Sequence, residues 1–315
     1  MGQQRLGLNL LSLIAVLREE GRLPLRAVGP AGPSGSAAPL GLATIQWYLR
    51  TVPRLRLSLG ALVGALQQVA RHGAAAAEQI RQQVRASPVS HADETGWRED
   101  GRNGYVWTFS TPTARDFVRG GRNKEVVDEV LGSACQGVLC SDFYAAYNHY
   151  PGLKQRCWAH LLRDIHDLGE RPPTDERLGA WATQIHGVYE RAKRLASPSP
   201  AQRQRARRRF QDELLALCTP FLQDQAAAQR TLCARIDKFL PELFVFVAQP
   251  EMPADNNAAE RSLRPLVTSR KISGGTRSEA GSATKLVLAS LFGTWRLQGR
   301  DPFLACRQVL ASPQL

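Results

Sequence analysis

Three acidic stretches carry residue types that could do chemistry. His91-Ala-Asp-Glu-Thr-Gly-Trp97 ends a short alternation, Val89-Ser-His-Ala-Asp93. The alternation reads as a strand with successive side chains on opposite faces, so His91 and Asp93 share one face. A carboxylate in a strand is costly to bury unless it is paired or binds a cation. Asp93 is therefore either a strand-end acid exposed in a hairpin or a cation ligand. Cys140-Ser-Asp-Phe-Tyr-Ala-Ala-Tyr147 puts Asp142 at the exit of the apolar run Gly137-Val-Leu-Cys140. Strand exits beside helix starts are where α/β proteins present site groups, and the plainer role for Asp142 there is a helix N-cap. The third stretch is Ala254-Asp-Asn-Asn-Ala-Ala-Glu-Arg-Ser-Leu-Arg-Pro265. Asp255 or Asn256 caps a helix, which leaves Glu260, about one turn in, to point at a site.

These groups need a scaffold. Thr95-Gly96 marks a turn, and Tyr105–Phe109 reads as a returning strand after the turn Gly101-Arg-Asn-Gly104. Asp116–Val118 suggests a third strand. Asn123–Leu131 has a helical pattern, with Val126, Val127, Val130 and Leu131 inward and Glu125, Asp128 and Glu129 solvated. Gly137–Cys140 is the continuous apolar run expected of a strand buried on both faces. Three strands, a helix and a fourth strand make a mixed α/β core. Before it, Leu8–Leu17, Ile45–Arg50 and Leu59–Ile80 read as helices, separated by the low-complexity stretch Gly29–Pro39. After it, residues 161–249 keep a helical face, broken at Ser197-Pro-Ser-Pro200. Gly281–Arg296 and a last helix opened by Asp301-Pro302 follow, with Gly299 after a helix end.

The charge balance restricts partners. Forty-one Lys and Arg against 28 Asp and Glu leave +13, with a pI near 10.0. Such an excess favours a polyanion, nucleic acid before an anionic membrane surface, although Arg-rich composition alone can produce it. Arg203-Gln-Arg-Ala-Arg-Arg-Arg209, which includes Arg207 and Arg208, is either a phosphate-contacting surface or a solvated helix face. The six cysteines form no CxxC pair, which fits a reducing compartment. Cys135, Cys140, Cys157 and His160 match no paired zinc-knuckle spacing. The run Leu8–Leu17 is too short to span a bilayer and lacks a cleavage signal, so a cytoplasmic protein with no membrane partner is expected.

The strings HADETGW (91–97), SDFYAAY (141–147), CWAHLLRD (157–164) and DNNAAERSLRP (255–265), in this order, resemble the insertion-sequence-66 family of bacterial DDE transposases. The C-terminal LASLFGTWRLQGRDPFLACRQVL (288–310) is similar to that family's tail. The resemblance implies an RNase H-like mixed sheet with a helical insertion between the second and third acids and helical N- and C-terminal segments. Segment boundaries follow: 1–88 helical, with the low-complexity linker near 28–43; 89–163 first part of the core; 164–250 insertion; 251–278 third-acid helix and basic stretch; 279–315 tail. It places the catalytic and metal-binding triad on Asp93, Asp142 and Glu260. Arg261, Arg264, Arg270, Lys271, Arg207 and Arg208 become DNA contacts, and His91 and His160 support the ligands from behind.

Cutting and joining phosphodiesters means activating water or a DNA 3′-hydroxyl and stabilising the leaving oxygen. Two Mg²⁺ ions roughly 3.5–4 Å apart do both, with Mn²⁺ as a substitute, and hard Mg²⁺ takes carboxylates. The expected partners are transposon-end and target DNA, further copies of the chain when on DNA, and accessory transposition proteins, with the chain nucleoid-associated. Longer members carry an additional N-terminal region of Cys-rich and helix-turn-helix character, so the resemblance implies an N-terminally short copy. A nuclease that cleaves without joining, or an inactive DNA-binding remnant, are the competing expectations. In either DNA-binding case affinity should fall steeply between about 50 and 200 mM salt, because each neutralised phosphate releases counterions. Fluorescence anisotropy with a DNA duplex checks this, and a flat profile would reduce the +13 to compositional drift.

Overall fold

The computed structural model describes residues 6–20, 41–51, 53–132, 135, 137–170, 176–195 and 199–312. The low-complexity stretch Gly29–Pro39 lies outside the described residues, as do residues 197 and 198 of the expected helix break. In chain order the elements are helices α1 (Leu8–Glu19), α2 (Leu42–Thr51) and α3 (Leu59–Ala86), then strands β1 (Val89–Glu99), β2 (Arg102–Ser110) and β3 (Arg115–Gly120). Helix α4 (Glu125–Leu131), β4 (Val138–Ser141), a 3₁₀ turn (Ala145–His149) and β5 (Lys154–Arg156) follow. The remainder is helical: α5 (Trp158–Gly169), α6 (Glu176–Lys193), α7 (Pro200–Leu222), α8 (Arg230–Leu243), α9 (Val245–Ala248), α10 (Asn257–Ser273), α11 (Glu279–Leu297) and α12 (Pro302–Ala311). Among the described residues no helix is long and apolar enough to cross a membrane.

The strands form one mixed sheet in the order β3-β2-β1-β4-β5. β2 and β3 pair antiparallel, whereas β1–β4 and β4–β5 pair parallel. Two expectations need correction. Thr95-Gly96 is not a turn: β1 runs through both to Glu99, and the chain reverses at Asp100 and Gly101, with φ of +48° and +75°. An Asp-Gly pair with two positive φ values matches the right-handed strand twist, so the tight hairpin forms there. The fifth strand, Lys154–Arg156, was not expected at all.

The chain divides into two compact units. One contains residues 1–87, 93–130 and 259–315. Its core packs Trp97, Val106 and Phe117 of the sheet against Leu263 and Leu266 of α10 and Leu286 and Ala289 of α11. A buried ion pair ties its first helix to α11, with Lys285 Nζ 2.8 Å from both Glu19 carboxylate oxygens. Burial pulls the Lys285 ammonium below the usual lysine range, and the Glu19 charge opposes that pull.

The other unit contains residues 88–92 and 131–258. Fully buried Trp158 is central to it: its ring stacks 4.9 Å from Tyr189 and lies 5.2 Å from Phe244. Its indole N–H donates to Leu243 O at 2.5 Å. β1 and α10 each begin in this unit and continue in the first.

β3 is an edge strand, and unpaired edge amides invite association with other chains. Two hydroxyls one helical turn apart on α11 satisfy them: Phe117 N–H donates to Ser290 Oγ and Arg115 N–H to Thr294 Oγ1, both at 3.0 Å. Ser290→Ala or Thr294→Val would strand a backbone donor, at a cost of about 1–3 kcal/mol each. Urea unfolding monitored by tryptophan fluorescence should show that loss without a change in the slope of the transition.

Candidate active site

Parallel pairing sets the register of the first two acids. Val89, Ser90 and His91 of β1 lie opposite Val138, Leu139 and Cys140 of β4. Asp93 is two residues beyond His91 and Asp142 two residues beyond Cys140. Asp93 is half-buried, and its Oδ1 accepts the Glu94 N–H at 2.9 Å. Asp142 is half-buried just past the strand end, where its Oδ1 accepts the Tyr144 N–H at 2.9 Å. That two-residue loop of an Asp onto its own backbone holds the carboxylate at the strand exit.

Arg156 of β5 locks the same exit. Its guanidinium is fully buried and donates to Asp142 O at 2.7 Å, Asn148 Oδ1 at 2.5 Å and Glu242 Oε2 at 2.6 Å. It lies over the Phe239 ring, 4.7 Å from the centroid. A cation taken out of water is costly unless its donors are satisfied, and here several acceptors surround it. Sequence reasoning passed over Arg156. The one available signal was an Arg two residues before the Trp of CWAHLLRD.

Glu260 is half-buried in the first turn of α10. Asp255 engages that helix start, its Oδ1 accepting the Asn257 N–H at 3.1 Å. His91 Nδ1 lies 3.3 Å from Asn256 Oδ1, so this histidine is a hydrogen-bonding partner of the segment leading into α10. His160 is half-buried in the first turn of α5.

The basic candidates divide. Arg261, Arg264 and Lys271 are exposed on α10. Arg115, on β3 in the same unit, is pushed down to about 10, first by burial and then by the like charges of Arg296 and Arg261. Like charges near Arg261 are thus close enough to act on one another. Arg270 is turned inward instead, its Nη1 donating to Thr95 Oγ1 at 3.1 Å and to Gly96 O. Neighbouring helix positions point about 100° apart, and here Arg270 turns to β1 while Lys271 faces outward. On α7, Arg208 is exposed, while Arg207 donates to Pro241 O at 2.6 Å and burial lowers its pKa.

A five-stranded mixed sheet, antiparallel at β2–β3 and parallel from β1 to β5, followed by a long helical segment, is RNase H-like. Residues 39–284 match the family described as Transposase IS66 family, and the chain belongs to that family. Two proteins of Sinorhizobium fredii (strain NBRC 101917 / NGR234) are similar to it. Uncharacterized protein y4jD is 28% identical over 226 residues, which is 65% of this chain and 43% of the relative. Uncharacterized protein y4jO is 29% identical over 145 residues, 45% of this chain and 43% of the relative. The matches thus span less than half the length of either relative.

Arg270 and Lys271 make a matched pair for measurement. Arg270→Ala removes charged hydrogen bonds that pin α10 to β1 and should cost about 1.5–3 kcal/mol. Lys271→Ala, at an exposed position, should stay within roughly 0.5 kcal/mol of the parent. Comparing the two by chemical denaturation shows which cation serves the fold.

Proposed function

We propose that the chain carries the catalytic centre of a DNA transposase, with Asp93, Asp142 and Glu260 as its acids. The observation that carries this reading is the parallel β1–β4 register, in which each of two acids follows one member of a paired couple, His91 and Cys140, by two residues. Residues 89–163 and 251–278 then form the core, with residues 164–250 inserted.

The donor types suit the expected metal. Three half-buried carboxylates, each on or beside regular structure, offer the hard oxygen ligands that Mg²⁺ takes, with Mn²⁺ able to replace it. Bound there, a pair of such ions would supply Lewis-acid stabilisation of the attacking and leaving oxygens. The chain's own work is positional. β1 carries the first acid within the strand, β4 presents the second just past its end where Arg156 and the Asp142 loop fix it, and α10 carries the third. Exposed Arg261 and Arg264 beside Glu260 hold phosphate and offset the charge that DNA brings.

In the proposed sequence water attacks a phosphodiester at the element's end in line, breaking the P–O3′ bond and freeing a 3′-hydroxyl. That hydroxyl then attacks a target phosphodiester, joining the strands with loss of a target 3′-oxygen. Several copies of the chain assemble on the two ends.

Glu260→Gln should abolish Mg²⁺-dependent cleavage of DNA bearing the element's own terminal repeats while leaving DNA affinity near the parent's. Asp255→Asn should keep cleavage and cost at most about 0.5–2 kcal/mol, the value of a helix-start contact. Cleavage gels and melting curves on both variants check the assignment, and the opposite outcome would transfer the acidic role to Asp255. Strand transfer with pre-cleaved ends then distinguishes a transposase from a nuclease that only cuts.

A further inference from the structure

The residues leading into α10 are tied into the sheet by an unusual set of polar contacts, all within one unit. Asn256 is fully buried. Its Nδ2 donates to Ala92 O at 2.7 Å, its Oδ1 lies 3.3 Å from His91 Nδ1, and its backbone N–H donates to Cys157 Sγ at 3.2 Å. One residue earlier, Asp255 O accepts the Cys140 thiol at 3.3 Å. Burial raises the Cys140 pKa well above the thiol range and keeps it a donor, with Cys157 and Asp255 adding to the effect. Two residues earlier, Ala254 O accepts the Trp158 N–H at 3.0 Å.

These contacts fix which way the amide points. A carbonyl only accepts, so the nitrogen end of Asn256 faces Ala92 and the oxygen faces His91, which donates from Nδ1. Asn256 stands where a helix N-cap side chain would ordinarily take a first-turn N–H. Here Asp255 takes the Asn257 N–H, and the Asn256 side chain is committed to β1 instead. A helix in need only of a cap has no use for a further polar side chain buried against the sheet.

We propose that Asn256 is a positioning residue for metal binding: one buried amide couples the residue before Asp93 to the residue before the helix that carries Glu260. The proposal rests on the assignment of Asp93 and Glu260 as ligands and adds how their spacing is set. Ala92 is one peptide from Asp93, and Glu260 is about one helical turn, roughly 6 Å of rise, from Asn256. A shift of about 1 Å in a reacting group can cost 100-fold in rate, so a rigid link this short in chain terms matters. Asp at position 256 would set a carboxylate oxygen against the Ala92 carbonyl. Ala would leave that carbonyl and the His91 N–H without their partner.

The test compares the parent chain with Asn256→Ala, Asn256→Asp and Glu260→Gln. Mn²⁺ binding is measured by titration calorimetry well below each melting temperature, alongside the Mn²⁺ midpoint for DNA cleavage. Both Asn256 variants should bind Mn²⁺ about 10–100-fold more weakly, the usual effect of removing a group that orients a ligand, with DNA affinity unchanged. A merely structural role would lower the melting temperature and leave Mn²⁺ affinity of the folded chain unmoved, and that result overturns the proposal. Should Asn256→Ala not fold, the isosteric Asn256→Asp decides. Loss of Mn²⁺ binding in Glu260→Gln with full binding in Asn256→Asp removes the positioning role alone. Equal Mn²⁺ binding by the parent and Glu260→Gln removes the ligand assignment, and the proposal with it.

Discussion

β1 is an eleven-residue strand and its parallel neighbour β4 has four residues, so one edge of β1 outlasts its partner. A buried backbone carbonyl left unpaired costs about 1–3 kcal/mol, and several in a row would unravel the strand. The chain resolves this with a single later segment. Ala92 O takes the Asn256 side chain, Gly96 O takes Arg270, and Arg98 O takes the Thr276 N–H at 3.0 Å. Gly275, with φ of +104°, has to be glycine because a Cβ there would overlap the Arg98 carbonyl. The course of α10 follows from an edge that had to be covered, and Asp93 falls in the interval between the first two of these contacts.

Much of this architecture was legible in the residues. The valine pattern of α4 and its solvated acids came out as read, with Val126, Val127, Val130 and Leu131 buried and Glu125, Asp128 and Glu129 exposed. Asp301 caps α12 by accepting the Leu304 N–H at 2.8 Å, and Gly299 adopts φ of +64° after α11. What failed was polar. β5 reads Lys-Gln-Arg and shows no apolar period, yet Gln155 and Arg156 are fully buried. Gln155 donates to Leu243 O and accepts from Phe246 N–H, both at 3.0 Å, so partners distant in sequence make that burial tolerable. Thr95-Gly96 was misread because Gly suggests a turn wherever its surroundings are unknown, whereas here it sits in a strand and lends its carbonyl to Arg270. The three acids stood out by type, but nothing in the sequence assigned Asn256 to the sheet rather than to a helix cap.

Net charge also reads differently once partners are known. Arg81 is paired with buried Asp116 at 3.0 Å, and Arg85 donates to the Glu129 and Val130 carbonyls at the end of α4. Arg156, Arg207 and Arg270 likewise serve carbonyls or carboxylates of the fold. Part of the Lys and Arg complement is therefore internal cement, and the cations available to a polyanion are fewer and more localised than composition suggests.

The Asn256–Ala92 hydrogen bond joins positions 164 residues apart. A ribosome adding roughly 5–20 residues per second needs on the order of ten seconds to cover that distance. Through that interval β1 exists without the residues that close its edge, while its hairpin with β2 can form within microseconds of emergence. The strand that begins the core thus waits unsealed during synthesis until the intervening helices have been made.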